Sequence, residues 1–408
     1  MRKVRAMPRS SRRNRGIALA ASIASAPLIL SACTPPMPPD VLAAVAESQI
    51  TCESGDVQVA TPAEFVGAMS AVGLALQGVC PDQTVTEVTA ADPAPVLITS
   101  GTPTAADIAA FSSERCTAGE TITIPAFSYP VNVIFNVIGL EGLYLTPEAV
   151  AGILTGTVTS FEDPLIVEAN EGFDLSGLPD ITVFGTDEPT GSVQAMSKWL
   201  ATEVPQLWTA GEVTVLPYGE KFATAQEVLD MMIGIEASVT VMPTTVGVAY
   251  GLAPASLPAT LTADEGAEGE LIVMNPDDVQ LAKIGSGATA TTLNEAGDTF
   301  IAEPAVGGIP NPESFDLAAS KVVVQEGVPL AGWPVLAFGH GMICNTPDDP
   351  LPLAFGQYLV RLAGQGSLEG YGLTPLPEPV RFATFNPLQV VVNTDLAELP
   401  DPTDSPME

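Results

Sequence analysis

The stretch Thr186-Asp187-Glu188-Pro189-Thr190-Gly191-Ser192 places three hydroxyls and two carboxylates between an apolar run, Ile181 to Phe184, and a helical pattern, Val193 to Leu200. A turn that leaves a strand and opens a helix offers unpaired backbone N–H groups and a partial positive charge. That arrangement suits an oxyanion, and the hydroxyls add donors and acceptors beside it. Ser100-Gly101-Thr102 follows the run Val96 to Thr99 in the same way. The chemistry expected of such turns is binding. A bland reading stands beside it, because Asx-turns and N-caps use the same residue types without holding any ligand.

Catalysis is not expected. The sequence holds a single histidine, His340, set between two glycines in a predicted strand, so no Ser/His/Asp set can be assembled around it. His340 reads as a structural histidine before it reads as a pH-sensitive ligand group. Gly185 and Gly191 are not followed by Lys-Ser/Thr, so the turn is not a phosphate loop. Asp187 and Glu188 are neighbours in a loop, and neighbouring carboxylates diverge rather than form an acid/base pair. Trp199, Trp208 and Trp333 read as core. No metal and no cofactor is expected.

The elements that must position these turns are short, since 38 prolines and 36 glycines punctuate 408 residues. Asp56 to Ala60 reads as a strand, and Pro62 to Gln77 as a helix with Phe65, Met69, Val72 and Leu76 at helical spacing. Val96 to Thr99 is a strand, Thr104 to Phe111 a helix, and Thr121 to Pro125 a strand. Val131 to Val137 is a β-branched and aromatic strand. Thr146-Pro147-Glu148 starts a helix that runs to Leu154 and ends at Gly156, with a polar turn at Ser160 to Pro164. Further on, Ala225 to Ile235 is a helix and Val239 to Tyr250 a strand, a proline turn and a second strand. Ala263 to Glu270 is an acidic loop, Trp333 to Ile343 a strand and Leu353 to Leu362 a helix. Alternation of strands and helices predicts an α/β fold with parallel sheet.

Seven of the 14 basic residues precede Cys33 and no acidic residue does, which leaves 7 Lys+Arg against 48 Asp+Glu in the remainder, a formal balance of −41. DNA, RNA and anionic lipid headgroups would be repelled, so no nucleic-acid partner is expected. Arg2 to Arg15 is a basic region and Ile17 to Leu30 an apolar one too short to span a bilayer, so residues 1–32 read as a signal peptide. Leu30-Ser31-Ala32-Cys33 resembles a bacterial lipobox, which implies cleavage before Cys33, a lipid on its sulfur and a place on the outer face of the cell membrane. Residues 33–50 then form a tether, and 393–408 an acidic, proline-rich tail. Cys52, Cys80, Cys116 and Cys344 are an even set in an exported chain and predict two disulfides. Three pairings are possible; Cys52–Cys80 is favoured as a local clasp, and a zinc site is the weaker alternative.

One family fits the punctuation of Val131 to Pro164. Strand, Gly139-x-x-Gly142, Leu145-Thr-Pro-Glu148, a short helix ending Gly156-Thr-Val-Thr159, Phe161 and Asp163-Pro164 resemble the phosphate-binding lipoproteins of bacterial phosphate ABC transporters. Gly370 to Pro377, GYGLTPLP, is similar to that family's closing segment. The resemblance implies a two-lobed periplasmic-binding-protein-like fold of type II, two doubly wound mostly parallel sheets joined by hinge strands. Lobe I would hold 51–130 and 329–392, and lobe II 131–328. It implies a ligand between the lobes, phosphate or a related small oxyanion or solute, and an ABC permease as partner. Because this fold returns its C-terminal part to the first lobe, it also implies Cys116–Cys344 as the second disulfide.

Residue by residue, the resemblance assigns ligand binding to Thr61, to Ser100, Gly101 and Thr102, and to Thr186, Asp187, Thr190, Gly191 and Ser192. Two charged ligand groups are missing. Gly185 stands where the family has an arginine, and Thr102 where it has an aspartate. The loss of both leaves an alternative, a surface lipoprotein that keeps the fold as a structural, sensing or adhesion module without transport.

Overall fold

A computed structural model describes residues 45, 47–261, 270–274, 323–325, 328–330, 334–376, 381, 384–385 and 387–390. The signal peptide, Cys33, the first part of the tether, most of the acidic loop at 263–270, Trp333 and the acidic tail lie outside the described residues.

β1 (Gly55–Thr61) carries GDVQVAT, whose inward Val57 and Val59 make it a core strand. The single helix expected from Pro62 divides into a 3-10 turn (Ala63–Phe65) and α1 (Ala68–Val79). Gly67 between them sits at φ 92°, a left-handed conformation that interrupts the helix, and its N–H donates to the Glu87 carboxylate. β2 (Gln83–Thr89) was not anticipated. Its QTVTEVT alternates at the sheet edge with a mostly polar outer face, so it shows little apolar signal.

β3 (Val96–Thr99) leads to α2 (Ala105–Arg115), which opens on a capping box between Thr104 and Asp107. β4 (Glu120–Asn136) unites the two strands expected at Thr121 to Pro125 and Val131 to Val137 into one of 17 residues. α3 (Pro147–Thr155) starts on its Thr146 N-cap and stops at Gly156, φ 73°. α4 (Pro164–Val167) follows the polar turn, capped by Asp163.

The next elements are β5 (Thr182–Thr186), α5 (Gly191–Glu203), β6 (Glu220–Phe222), α6 (Ala225–Gly234) and β7 (Ser238–Pro243). The second strand expected before Tyr250 is instead α7 (Thr244–Ala249). β7 already has β4 and β5 on its two edges, and Pro243 ends the strand at the start of this helix. Gly247 lets α7 lie directly on the Ile134 side chain.

β8 (Ala253–Pro254), β9 (Leu257–Leu261), β10 (Glu270–Met274), β11 (Val323–Gln325), β12 (Val328–Leu330) and β13 (Leu336–Asn345) complete the strands. α8 (Leu351–Leu359) and α9 (Leu362–Gly366) replace the one helix expected at Leu353 to Leu362.

The main sheet runs β2-β1-β3-β13-β4-β7-β5-β6, with β8 also on β4. Pairings are parallel at both ends, β1 with β2 and β3, and β5 with β6 and β7. They are antiparallel around the two long strands in the middle. β4 changes partner along its length: Glu120 to Pro130 pair with β13, and Val131 to Asn136 pair with β7. The two parallel-ended α/β lobes are thus joined through β4 and β13, and the expected pair of sheets is hydrogen-bonded into one.

Both expected disulfides are present. Cys52–Cys80 ties the chain before β1 to the end of α1, with Cα atoms 5.3 Å apart. Cys116–Cys344 ties the end of α2 to β13, with Cα atoms 5.2 Å apart. The closing segment pairs through Thr374 with Ser128 of β4, in two backbone bonds of 3.0 and 2.7 Å. Among the described residues no helix is long and apolar enough to cross a membrane.

Candidate functional site

The loop after β3 and the start of α5 come from opposite halves of the sheet, and they touch. The Gly191 N–H donates to Ser100 Oγ at 3.2 Å. A Cβ on Gly191 would lie 1.8 Å from the Ser100 carbonyl oxygen and 2.7 Å from Gly101 Cα. A Cβ on Gly101 would lie 2.9 Å from Gly191 Cα. Two glycines therefore allow a backbone-to-backbone approach that no other residue type permits. Tyr129, from the middle of β4, donates its hydroxyl to the Ser100 carbonyl at 2.5 Å. Phe65 holds Tyr129 and Phe127 edge-on, with ring centroids 5.0 and 5.1 Å away.

Glu64 belongs to this cluster, and sequence reasoning missed it. It sits in the 3-10 turn that follows β1, next to the buried Phe65, and its carboxylate accepts a hydrogen bond from the Ser100 side chain. Burial pushes its pKa up to about 7; the Ser100 bond pulls the other way, and the negative Glu188 from the β5–α5 turn pushes it further up. Tyr129 is raised well above its ordinary value, first by burial and then by the charge of Glu64, while the nearby Ser192 hydroxyl acts in the opposite direction. Glu64 had one weak signal in the sequence: a carboxylate three residues after the end of a buried strand, on the same turn as a core phenylalanine.

The residues singled out from the sequence divide into two groups. Ser100, Gly101 and Gly191 meet across the gap, and Ser192 stands beside Tyr129. Ser192 is 0% exposed with its hydroxyl set against Tyr129, and Thr61, at the end of β1, is 2% exposed with a hydroxyl that has no hydrogen-bond partner. The others do local work or stand apart. Thr190 is the N-cap of α5, accepting from the Val193 N–H at 3.2 Å. Thr186 donates to the Glu188 carbonyl at 2.7 Å and so shapes its own turn. Asp187 is exposed, and its N–H bonds to Phe222 of β6. Thr102 is half-buried in the loop between β3 and α2.

Lys221 lies against Gly185, where the resemblance leads one to expect an arginine. It pairs with Gly185 across β5 and β6, and its Nζ is 3.0 Å from where a Gly185 side chain would begin. Burial lowers its pKa, while Asp187 acts to raise it. His340 is 3% exposed beneath the same loop, where Phe338 and Gly101 backbone groups hydrogen-bond its ring. Burial brings its pKa down to about 4, so it is neutral and structural at pH 7. Among the described residues no group of three or more His, Cys, Asp and Glu could hold a metal ion.

Glu64 and His340 act on stability in opposite senses. A carboxyl raised from 4.5 to about 7 favours the folded state below pH 4.5, and this contribution is lost as pH rises to 7. A histidine lowered from 6.5 to about 4 favours the folded state above pH 6.5, and this is lost as pH falls to 4. Glu64→Gln removes only the first limb. Relative to the wild type, its unfolding free energy should rise by about 2 kcal/mol between pH 4.5 and 7. Urea denaturation at several pH values checks this; a pH-independent difference would place the Glu64 carboxyl in solvent.

No protein-family model matches the chain. "Phosphate-binding protein PstS 2" of Mycobacterium tuberculosis is 24% identical over 275 residues, 65% of each chain. The chain is a distant relative of the PstS phosphate-binding proteins. "Phosphate-binding protein PstS 3" of Mycobacterium leprae is 23% identical over 276 residues, 66% of each chain. The match to these curated relatives spans just under two thirds of their length. The fold is shared with a solved structure of a human phosphate-binding apolipoprotein, at a TM-score of 0.52 and 13% identity, over 81% of this chain and 94% of that one. Solved and curated relatives alike are named for binding rather than for a reaction.

Proposed function

We propose that this PstS relative is an extracytoplasmic solute-binding protein, held at the outer face of the membrane by a lipid on Cys33, that closes two lobes on a small solute and presents it to an ABC permease. The lobes are taken as 51–130 with 329–392, and 131–328. One observation carries the reading: the Ser100–Gly101 loop and the Gly191–Ser192 helix start, each at the C-terminal end of a strand in its own half of the sheet, face one another beside the strand that joins the halves. Ligands of open α/β sheets sit at such strand ends. The unpartnered hydroxyl of Thr61 supports the same place, since buried donors without partners are uncommon unless something completes them.

Inorganic phosphate, which the relatives' names specify, is the first ligand to test, followed by other small oxyanions. Ligand present at about 100 times its Kd should stabilise the folded state by about 2.7 kcal/mol, read as a rise in melting temperature. Absence of any shift at millimolar phosphate and oxyanions would turn the reading towards the alternative, a structural, sensing or adhesion module.

A further inference from the structure

The last residues before β1 are fastened to the body of the protein. Val45 is buried, Ser48 Oγ donates to its carbonyl at 2.8 Å, and Ile50 packs against the main core. Between them Glu47 reaches the junction of α8 and α9. One of its carboxylate oxygens is paired with Arg381 Nη1, and the other accepts the Leu362 N–H, at the start of α9, at 2.9 Å. Arg381 Nη1 also donates to the Val360 carbonyl at 3.2 Å. Arg361 lies between the two helices, within the influence of the Glu47 charge. The two arginines are 2% and 3% exposed. Three remote stretches of chain therefore meet at one carboxylate, and residues 47 and 381 are 334 positions apart. Only seven basic residues follow Cys33, against 48 acidic ones, so two buried arginines at a single glutamate are a heavy share of a scarce type. An exposed ion pair would fasten little, whereas a buried one is costly to break from one side, because the charge left behind has lost its water.

We propose that Glu47, Arg361 and Arg381 form a clamp that fixes the segment before β1 on lobe I, so that the connection to Cys33 starts from Val45. Without the clamp it would start from Cys52, which the disulfide to Cys80 holds in place. The difference is one of reach. Between residues 33 and 52 there are 19 steps of chain, and between 33 and 45 there are 12. At about 3.6 Å per residue the clamp cuts the greatest span from about 68 Å to about 43 Å. With a lipid on Cys33, lobe I becomes the lobe kept near the membrane and lobe II the one left to move. That consequence rests on the lipid-anchored reading; the clamp itself does not.

Digestion of the folded full chain with a glutamate-specific endoprotease tests the clamp, because Glu47 is itself a cleavage residue. In the wild type, cleavage after Glu47 should be at least tenfold slower than after Glu171, which is exposed in the turn that follows α4. Arg381→Gln should speed cleavage after Glu47 at least tenfold and leave cleavage after Glu87, in β2, unchanged. Hydrogen exchange gives a second reading: Glu47→Ala should speed exchange of the Leu362 amide at least tenfold. Wild-type cleavage as fast after Glu47 as after Glu171 would overturn the clamp with no variant needed, even if Arg381→Gln fails to fold. So would a Leu362 amide that exchanges equally in the wild type and Glu47→Ala. Cleavage of Arg381→Gln that rises after Glu47 only in step with Glu87 would also overturn it, since that is unfolding of the whole lobe. No solute and no lipid enters either measurement, so these outcomes are separate from those that decide the binding reading.

Discussion

Gly191→Val is expected to hold the two lobes apart. Its first side-chain carbon would fall 1.8 Å from the Ser100 carbonyl oxygen and 2.4 Å from the carbonyl carbon. Those are backbone atoms, so no rotamer change relieves the clash; a lobe has to move. The Gly191 N–H bond to Ser100 goes with the contact. The cost in stability should be about 1–3 kcal/mol, the range for forcing extra atoms into a packed contact. The effect on binding should be larger, at least about tenfold for any ligand that needs both loops, because a displacement of about 1 Å removes one set of hydrogen bonds. Small-angle scattering should report a larger radius of gyration than the wild type. Gly101→Ala, approaching the same contact from the other side at 2.9 Å, should act in the same direction and more weakly. Unchanged scattering and unchanged affinity in Gly191→Val would mean that the two loops do not touch in solution.

Cys116→Ala with Cys344→Ala is expected to destabilise the protein by about 2–5 kcal/mol, the usual cost of losing a native disulfide in an exported domain. The bond spans 228 residues, far more than the 28 spanned by Cys52–Cys80, so it restricts the unfolded chain more. It also fastens the end of α2 to β13, next to the strand that changes partner between the halves. Both sulfurs are buried against Phe111 and Met342, so their removal loses packing as well. Denaturant unfolding of the double variant, compared with the wild type with and without reductant, reads the difference. A wild type whose stability is indifferent to reductant and equal to the double variant would mean that the bond does not form.

Local chemistry was legible in the sequence where one segment suffices to state it. Thr146-Pro147-Glu148 could be read as a helix start, and Gly156 as its stop, because capping depends on neighbours a few residues away. The turn after β5 was legible as a strand end opening a helix, and Thr190 does cap it. The α/β class followed from the alternation of short β-branched and helical runs, and the two-lobed form and the second disulfide from a resemblance carried by punctuating residues. Edge strand β2 escaped because half of its pattern faces solvent and is polar. α7 reads as a strand in the sequence because Thr244, Thr245, Val246 and Val248 are β-branched, and what decides otherwise is that both edges of β7 are already occupied.

The tertiary structure alone decided the chemistry of the gap. Periodicity and propensity state which side of an element is buried, never which distant residue it meets. Glu64 and Glu188 are more than a hundred residues apart in sequence, and so are His340 and the Gly101 backbone; the shifts of Glu64 and His340 exist only where the sheet order brings these groups together. Glycines at 101 and 191 read as ordinary turn residues until two backbones from opposite halves of the sheet need the same space.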